Sequence, residues 1–380
     1  MDAPIYMDSH ATTPLDPRVL EAMLPALTTA FGNASSSQHR FGWEAGALVE
    51  QARARVAALI HAEPSEIVFT SGATESNNLA VKGVAHRRRK GHIVTCAAEH
   101  RSVLDCCRRL EHQGFQVTYL PVLKSGLIEL AQIEAAFTPE TILVTIMMAN
   151  NEIGTLQPVA EIGAACRRRR VYFHCDAVQA AAWEPIDVQA LGVDLLSLSA
   201  HKMYGPKGVG ALYLRRRDPR VAVEPLFDGG GHEGGIRPGT LNTAGIVGFG
   251  RAAELAAAER SADSGRVRAL RDRLLEKLRV SPGGVIVNGA LERRLPNNLN
   301  VSFENIGSNS PIGALGDIAL SSAAACASAS EEPSHVLAAI GLPAGLAATS
   351  LRFGLHRFSA EQEIEAAAAA VSAATVRLRR

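Results

Sequence analysis

Alternation of short apolar runs with helical stretches between residues 67 and 214 predicts an α/β protein built on a mostly parallel sheet. Two further observations sharpen that expectation. Polar clusters follow several of the apolar runs directly, where open α/β sheets gather ligands at the carboxyl ends of their strands. Near Gly245 the pattern changes to a long alanine- and arginine-rich helix followed by short strands, the signature of a smaller α+β unit. The expected division is a large unit over 15–244 and a small unit over 245–380 that also takes in an N-terminal arm, 1–14.

Along the chain, Ile5-Tyr-Met starts as a strand and runs into the hydroxyl-rich turn Asp8-Ser-His-Ala-Thr-Thr-Pro14. Asp16-Pro17 then caps a helix to about Thr29. Phe41 to Ala62 reads as an amphipathic helix and Ile67–Thr70 as a strand. Ser71-Gly-Ala-Thr-Glu-Ser-Asn-Asn78 opens the next helix, and a glycine turn at a helix N-terminus suits an anion. A plain cap by Ser71 or Thr74 is the competing reading. Strands are expected at His92–Cys96, Phe115–Leu120, Thr141–Met147, Val171–Cys175, Asp194–Leu198 and Gly210–Leu214, with helices at Val103–Gln113 and Val159–Arg170. Beyond the helix at Ala244–Leu278 come strands at Val285–Asn288, Asn298–Phe303 and Ser350–Leu355. A short helix is expected at Ser310–Gly316, an unpatterned loop at Leu320–Ser330 and a closing helix at Ser359–Arg377.

The formal net charge of +1 provides no global field for nucleic acid or membrane, and no apolar run of spanning length exists. Arginine clusters at 87–90, 167–170 and 215–217 close predicted elements, where they complement helix C-termini. Met1-Asp-Ala-Pro lacks a signal peptide's basic start, so a cytoplasmic protein is expected. The six cysteines (96, 106, 107, 166, 175 and 326) form no Cys-x-x-Cys pair, so neither a disulfide framework nor a metal site is expected. Five lie in predicted strands or helices as buried thiols; Cys326 lies in the unpatterned loop. No Gly-x-Gly-x-x-Gly joins a first strand to a helix, which argues against a dinucleotide enzyme.

Lys202 is one of only six lysines, and it stands just past the strand ending at Leu198, between His201 and Met203. A lysine in a partly apolar pocket can lose its proton and form a Schiff base, which arginine cannot do. Other strand ends carry Glu99-His100, Asn150-Asn-Glu-Ile-Gly154 and Asp176-Ala-Val-Gln179. A reactive lysine, an aspartate, a histidine and a phosphate turn together meet the needs of pyridoxal 5′-phosphate chemistry. Each alone has a plain structural reading: Asp176 and Gln179 as helix caps, His100 as a surface histidine, Arg352 as a snorkelling arginine.

Nearly the whole chain resembles the cysteine desulfurases that serve iron–sulfur cluster assembly. The resemblance rests on Asp8-Ser-His-Ala-Thr-Thr-Pro, Phe69-Thr-Ser-Gly-Ala-Thr-Glu-Ser, Glu99-His100, Asn150-Asn-Glu-Ile-Gly, Asp176-Ala-Val-Gln, His201-Lys-Met-Tyr-Gly-Pro-Lys-Gly, Gly229-Gly-Gly-His-Glu and Cys326. It implies a fold-type I pyridoxal-phosphate enzyme and a homodimer. It implies that Lys202 holds the cofactor covalently, with Asp176 on the pyridine nitrogen, Gln179 on the phenolic oxygen and His100 stacked on the ring as acid and base. Ala73, Thr74, Ser199 and His201 would grip the phosphate, with Thr240 reaching in from the other subunit. Asn151 and Arg352 would bind the carboxylate of L-cysteine. Cys326 would take the sulfur as a persulfide, leave L-alanine, and pass the sulfur to an acceptor protein, either a cluster scaffold or a carrier such as a tRNA-thiolation relay. Rival readings are a selenocysteine lyase or aminotransferase of the same fold, and a non-catalytic partner that retains it.

The chain departs from the family pattern in three places. The loop Ser321-Ser-Ala-Ala-Ala-Cys-Ala-Ser328 has alanine at 323, 324 and 327 where the family has glycine and hydroxyl residues, and alanine restricts the backbone. Gly234 and Pro238 stand where an arginine and a serine are common. The chain ends at Arg380, short of a tail that relatives use to dock a scaffold.

Overall fold

The chain enters through β1 (Ile5–Tyr6), α1 (Pro17–Thr28) and α2 (Arg40–Leu59). The strands β2 (Ile67–Thr70), β3 (His92–Cys96), β4 (Gln116–Leu120), β5 (Thr141–Thr145), β6 (Tyr172–Asp176), β7 (Leu195–Ser199) and β8 (Gly210–Leu214) form one sheet. Helices α3 (Ala73–Arg88), α4 (Arg101–Glu111), α5 (Leu130–Ala136) and α6 (Val159–Arg169) connect them. The spatial order is β2-β8-β7-β6-β5-β3-β4, and β8 alone runs antiparallel to its neighbours. The computed structural model describes residues 4–280, 284–304, 306–307, 309–322 and 334–379.

Helices cover both faces of this sheet, so its central strands are apolar throughout rather than alternating. All five residues of β7 and all five of β8 are buried. Helix boundaries follow local chemistry. Asp16 accepts the Arg18 N–H at 2.9 Å and Pro17 occupies the first position of α1. Helices α3 and α6 end in left-handed Arg89 and Arg170, with basic residues in their last turns.

The second unit comprises α7 (Thr243–Val280), β9 (Val285–Val287), β10 (Asn298–Phe303), β11 (Ile318–Ala319), β12 (Ser321–Ser322), α8 (His335–Ala339), α9 (Ala344–Ala348), β13 (Leu351–Gly354) and α10 (Glu361–Leu378). Its antiparallel sheet runs β12-β13-β10-β9. The N-terminal arm joins it, since β1 pairs with β11 and Asp8 bridges to Gly354. Arg357 ties the parts together: its guanidinium reaches Asp16, Glu259 and Asp263 and lies 4.4 Å from the Tyr204 ring centre.

The expected strands appear within a residue or two, and three short helices (α5, α8 and α9) appear where none was expected. The expected helix at Ser310–Gly316 is only a single tight turn, Pro311–Ala314. The expected loop opens as a strand, with Ser321 and Ser322 paired to Arg352 and Leu351. Among the described residues, no helix is long and apolar enough to cross a membrane.

Candidate active site

The carboxyl ends of β6 and β7 lie side by side, Asp176 pairing with Ser197, and the chain turns there into one cleft of about 1130 Å³. Ten of the sequence-predicted residues line it: Ala73, Thr74, His100, Asn151, Asp176, Gln179, Ser199, His201, Lys202 and Arg352. Thr240 does not line it and is exposed, on the segment leading into α7. Cys326 lies outside the described residues, as do the alanines at 323, 324 and 327.

At one end of the cleft is the N-terminus of α3. Its cap is Gly72 at φ 151, a backbone that side chains avoid, and no side chain caps the helix. Neither Ser71 nor Thr74 is the cap of this helix, and its first residues line the cleft together with Ser199, His201 and Lys207. Gly210 on β8 packs beneath, where a Cβ would come within 2.7 Å of Gly72 Cα. His201 hydrogen-bonds Thr12 Oγ1 through Nδ1 at 3.2 Å, and burial followed by Lys202 and Lys207 pulls its pKa down to about 4. Glu75, in the first turn, pairs with Arg237 at 2.8 Å; burial opposes its ionisation, but Arg237 and Ser71 hold its pKa below the usual value.

Lys202 projects from the turn after β7, and its Nζ donates to the carbonyls of His10 and Ala11 in the N-terminal arm. Asp176 is buried. Its Oδ1 accepts the Val178 N–H at 3.0 Å and its Oδ2 the Asn77 amide at 2.7 Å. Behind it Glu99 is fully buried, and its pKa is raised to about 8 by burial, so it is largely protonated at neutral pH while Asp176 faces the cleft.

His100 is exposed to solvent on the cleft, as its plain reading as a surface histidine allows, and it also caps α4, which leaves the ring's other nitrogen available. Nδ1 accepts the Ser102 N–H at 3.1 Å and lies 2.8 Å from Ser102 Oγ, so a neutral ring carries its proton on Nε2. Burial by the surrounding protein lowers its pKa, with Asp176 opposing that shift. On the opposite wall Arg352 donates through Nη2 to Asp8 Oδ1 at 2.8 Å and Ser321 Oγ at 2.9 Å, and through Nη1 to the Asn151 carbonyl at 3.2 Å. It is buried, paired and turned to the cleft, which sets aside the snorkelling reading.

Sequence reasoning did not single out Asn77, Ser102, Asp8 or His10 as site residues. Asp8 and His10 stood inside a quoted turn, and Asn77 follows Thr74 by three positions, one helical turn, which was the available signal.

Comparison with known proteins agrees with this geometry. The sequence model of the family "Aminotransferase class-V" matches residues 5–367. A "Cysteine desulfurase IscS" of Anaeromyxobacter dehalogenans is 57% identical over 367 residues, covering 96% of this chain and 91% of the relative. The chain belongs to the cysteine desulfurases, within the class-V aminotransferases. Among solved structures, a "NIFS-LIKE PROTEIN" superposes with a TM-score of 0.90 at 38% identity, over 97% of this chain and 98% of that one. "SspA in complex with cysteine" does so with a TM-score of 0.83 at 39% identity, over 94% and 100%.

Cysteine desulfurases of this class depend on pyridoxal 5′-phosphate, and the cleft fits that group. It offers a lysine amine, a buried carboxylate opposite an aromatic base, and uncapped helix N–H groups with hydroxyls for a phosphate. The Gly229–Glu233 stretch, by contrast, acts at a distance from the cleft. Glu233 takes two hydrogen bonds from Arg53 and one from the Phe69 N–H, pinning its loop to β2. Gly234 follows at φ 64, a conformation that an arginine there would adopt only with strain.

Proposed function

We propose that this chain holds pyridoxal 5′-phosphate on Lys202 and converts L-cysteine to L-alanine, with the sulfur received by Cys326. The observation that carries the reading is the convergence of ten residues, drawn from positions 73 to 352, on the cleft beside Lys202 and Asp176. When bound, the cofactor supplies an electron sink for cleavage of the carbon–sulfur bond. Asp176 keeps the ring nitrogen protonated, Gln179 contacts the phenolic oxygen, and Ala73, Thr74, Ser199 and His201 hold the phosphate. His100, neutral at working pH, moves the proton at its Nε2. Asn151 and Arg352 fix the substrate carboxylate, and the cysteine bound in the SspA structure supports that choice of substrate. The Cys326 thiolate attacks the substrate sulfur; an S–S bond forms, the C–S pair stays with carbon, and protonation yields the methyl group of alanine.

A homodimer completes the site by bringing Thr240 of the second copy to the phosphate. Exposed apolar side chains support this: Leu20, Leu24 and Leu27 along α1, the Phe31 and Phe41 rings 5.5 Å apart, and Trp43. Helix α1 packs on α7, directly after the segment that bears Thr240. The division into a large cofactor-binding unit, 15–244, and a small unit formed by 245–380 with the arm 1–14, is supported by the seven-stranded sheet lying in the first and the four-stranded sheet and the β1–β11 pair in the second. We place the enzyme in the cytoplasm, supported by five described cysteines that are unpaired thiols, and assign its sulfur to an acceptor protein for iron–sulfur clusters or other thiolated products. Incubating the purified yellow protein with L-cysteine, with and without reductant, should release alanine and sulfide, and Cys326→Ala should abolish the sulfide. A colourless protein, or one that yields no alanine, would refute the reading.

A further inference from the structure

Arg294 can only donate hydrogen bonds, and that sets the polarity of a buried run of polar groups ending at Gln179. Its Nη1 donates to Asn298 Oδ1 at 3.0 Å, so the Asn298 amide presents its nitrogen on the other side. That nitrogen donates to the Glu152 carbonyl at 3.1 Å and lies 3.0 Å from His10 Nε2. A donor facing Nε2 makes it the acceptor of a neutral ring and leaves the ring proton on Nδ1. His10 Nδ1 is 3.0 Å from Gln179 Oε1, which receives that proton in a hydrogen bond. Gln179 Nε2 then returns one N–H to the His10 carbonyl at 3.1 Å. Its second N–H is left for the cleft that Gln179 lines.

Each orientation in this relay is consistent with the one before it, with Arg294 as the fixed donor at its start. The neutral ring is consistent with its surroundings, since burial and then Arg352 push the His10 pKa down to about 3. Without the His10 ring the Gln179 oxygen loses its donor, and only the main-chain carbonyl of residue 10, shared with the Lys202 amine, is left to hold the amide's orientation. A flipped amide would then turn its oxygen toward an anionic phenolic oxygen and repel it.

We propose that His10 is a positioning residue, whose Nδ1–H locks the Gln179 amide with an N–H toward the phenolic oxygen of pyridoxal phosphate, and that Arg294 sets the relay's direction from the small unit. This rests on the proposed contact between Gln179 and the cofactor. The same His10 residue also receives the Lys202 amine at its carbonyl, so the arm holds both groups that meet the cofactor's reactive side.

The test is a pH titration of the visible absorption band of the loaded enzyme, in the absence of substrate. Gln179→Leu should shift the midpoint by about one unit or more, the scale of one lost hydrogen bond to a charged group. His10→Phe, which fills the space without a donor, should shift it in the same sense. The double variant should shift no further than Gln179→Leu alone. His10→Gln, whose amide can still donate to Gln179 Oε1, should return the midpoint toward that of the parent. A shift with Gln179→Leu but none with His10→Phe overturns the relay. No shift with Gln179→Leu overturns the contact on which the relay depends. If His10→Phe does not fold, Asn298→Leu removes the donor that fixes the tautomer; an unmoved midpoint there, with Gln179→Leu shifted, is equally fatal.

Discussion

Asn77 Nδ2 lies 2.7 Å from Asp176 Oδ2, and the same nitrogen reaches Ser102 Oγ at 2.8 Å. Ser102 Oγ in turn stands 2.8 Å from His100 Nδ1, so a single amide links the carboxylate proposed for the ring nitrogen to the proposed acid–base histidine. Asn77 is fully buried, and its Oδ1 has no partner among the described residues. The residue is thus kept for its two N–H groups. Asn77→Ala should lower stability by about 1–3 kcal/mol, the cost of leaving buried partners unsatisfied. Asn77→Asp should reduce retained cofactor further, because it sets a second carboxylate beside Asp176. A urea midpoint checks the first and cofactor absorbance after dialysis the second, and retention by the aspartate variant equal to that of the parent would contradict the assignment.

Stability should fall as the pH drops below about 6.5, and buried histidines are the reason. His10 and His174 are both enclosed, and burial lowers each from 6.5 to about 3. Between those values the unfolded chain binds the two protons that the folded chain refuses. Stability is full above the unfolded value and declines by about 1.4 kcal/mol per pH unit for each proton. Glu99 acts in the opposite sense, since its pKa is raised from 4.5 to about 8 and its contribution is lost as the pH rises through 8. Among the described residues, the His174 ring hydrogen-bonds the Thr145 and Ser197 hydroxyls, so His174→Gln can keep those partners without titrating. Urea midpoints at pH 7 and pH 5 should converge in that variant relative to the parent; identical pH dependence would rule the explanation out.

The strand ends were legible because a buried strand announces itself as an apolar run and its polar successor marks the cleft. Leu195 to Leu198 followed by His201-Lys202 is the plainest case. The relay from Arg294 to Gln179 was not legible, since it joins residues separated by 169 positions in one bond and 288 in another. Nothing in a local pattern says that a turn histidine meets an asparagine of a distant strand. The helices α5, α8 and α9 were missed for a different reason: five to seven residues give too few turns for a hydrophobic period. Arg352 was ambiguous from a strand pattern alone, and only its partners Asp8 and Ser321 show which way it points.

The alanine-rich Cys326 loop should slow sulfur delivery. Ser321 and Ser322 anchor its start on Arg352 and Leu351, and Ser334 caps α8 where the described chain resumes. A thiol that must reach the cleft and then an acceptor needs backbone freedom between those anchors, and alanine at 323, 324 and 327 reduces it. The variant Ala323→Gly with Ala324→Ser and Ala327→Thr should transfer persulfide sulfur to an acceptor faster than the parent, in single-turnover assays. A rate no higher than that of the parent would show that the loop composition does not limit transfer.

Arg352 should govern substrate affinity through the shape of its guanidinium as well as its charge. Its Nη2 is engaged by Asp8 and Ser321 and its Nη1 by the Asn151 carbonyl, so the planar fork is held rigidly at the cleft wall. A substrate carboxylate meets donors already oriented, with little side-chain entropy left to lose. Arg352→Lys keeps a positive charge but offers a single mobile ammonium that cannot satisfy Asp8, Asn151 and a carboxylate together. Loss of the remaining Nη1 N–H to a charged carboxylate corresponds to about a 10- to 100-fold rise in KM for L-cysteine, with a smaller change in kcat. Steady-state alanine release at saturating cofactor measures the two constants separately. If KM stays within a factor of about two of the parent's while kcat collapses, the arginine acts on the chemical step, and the carboxylate of the substrate is bound elsewhere.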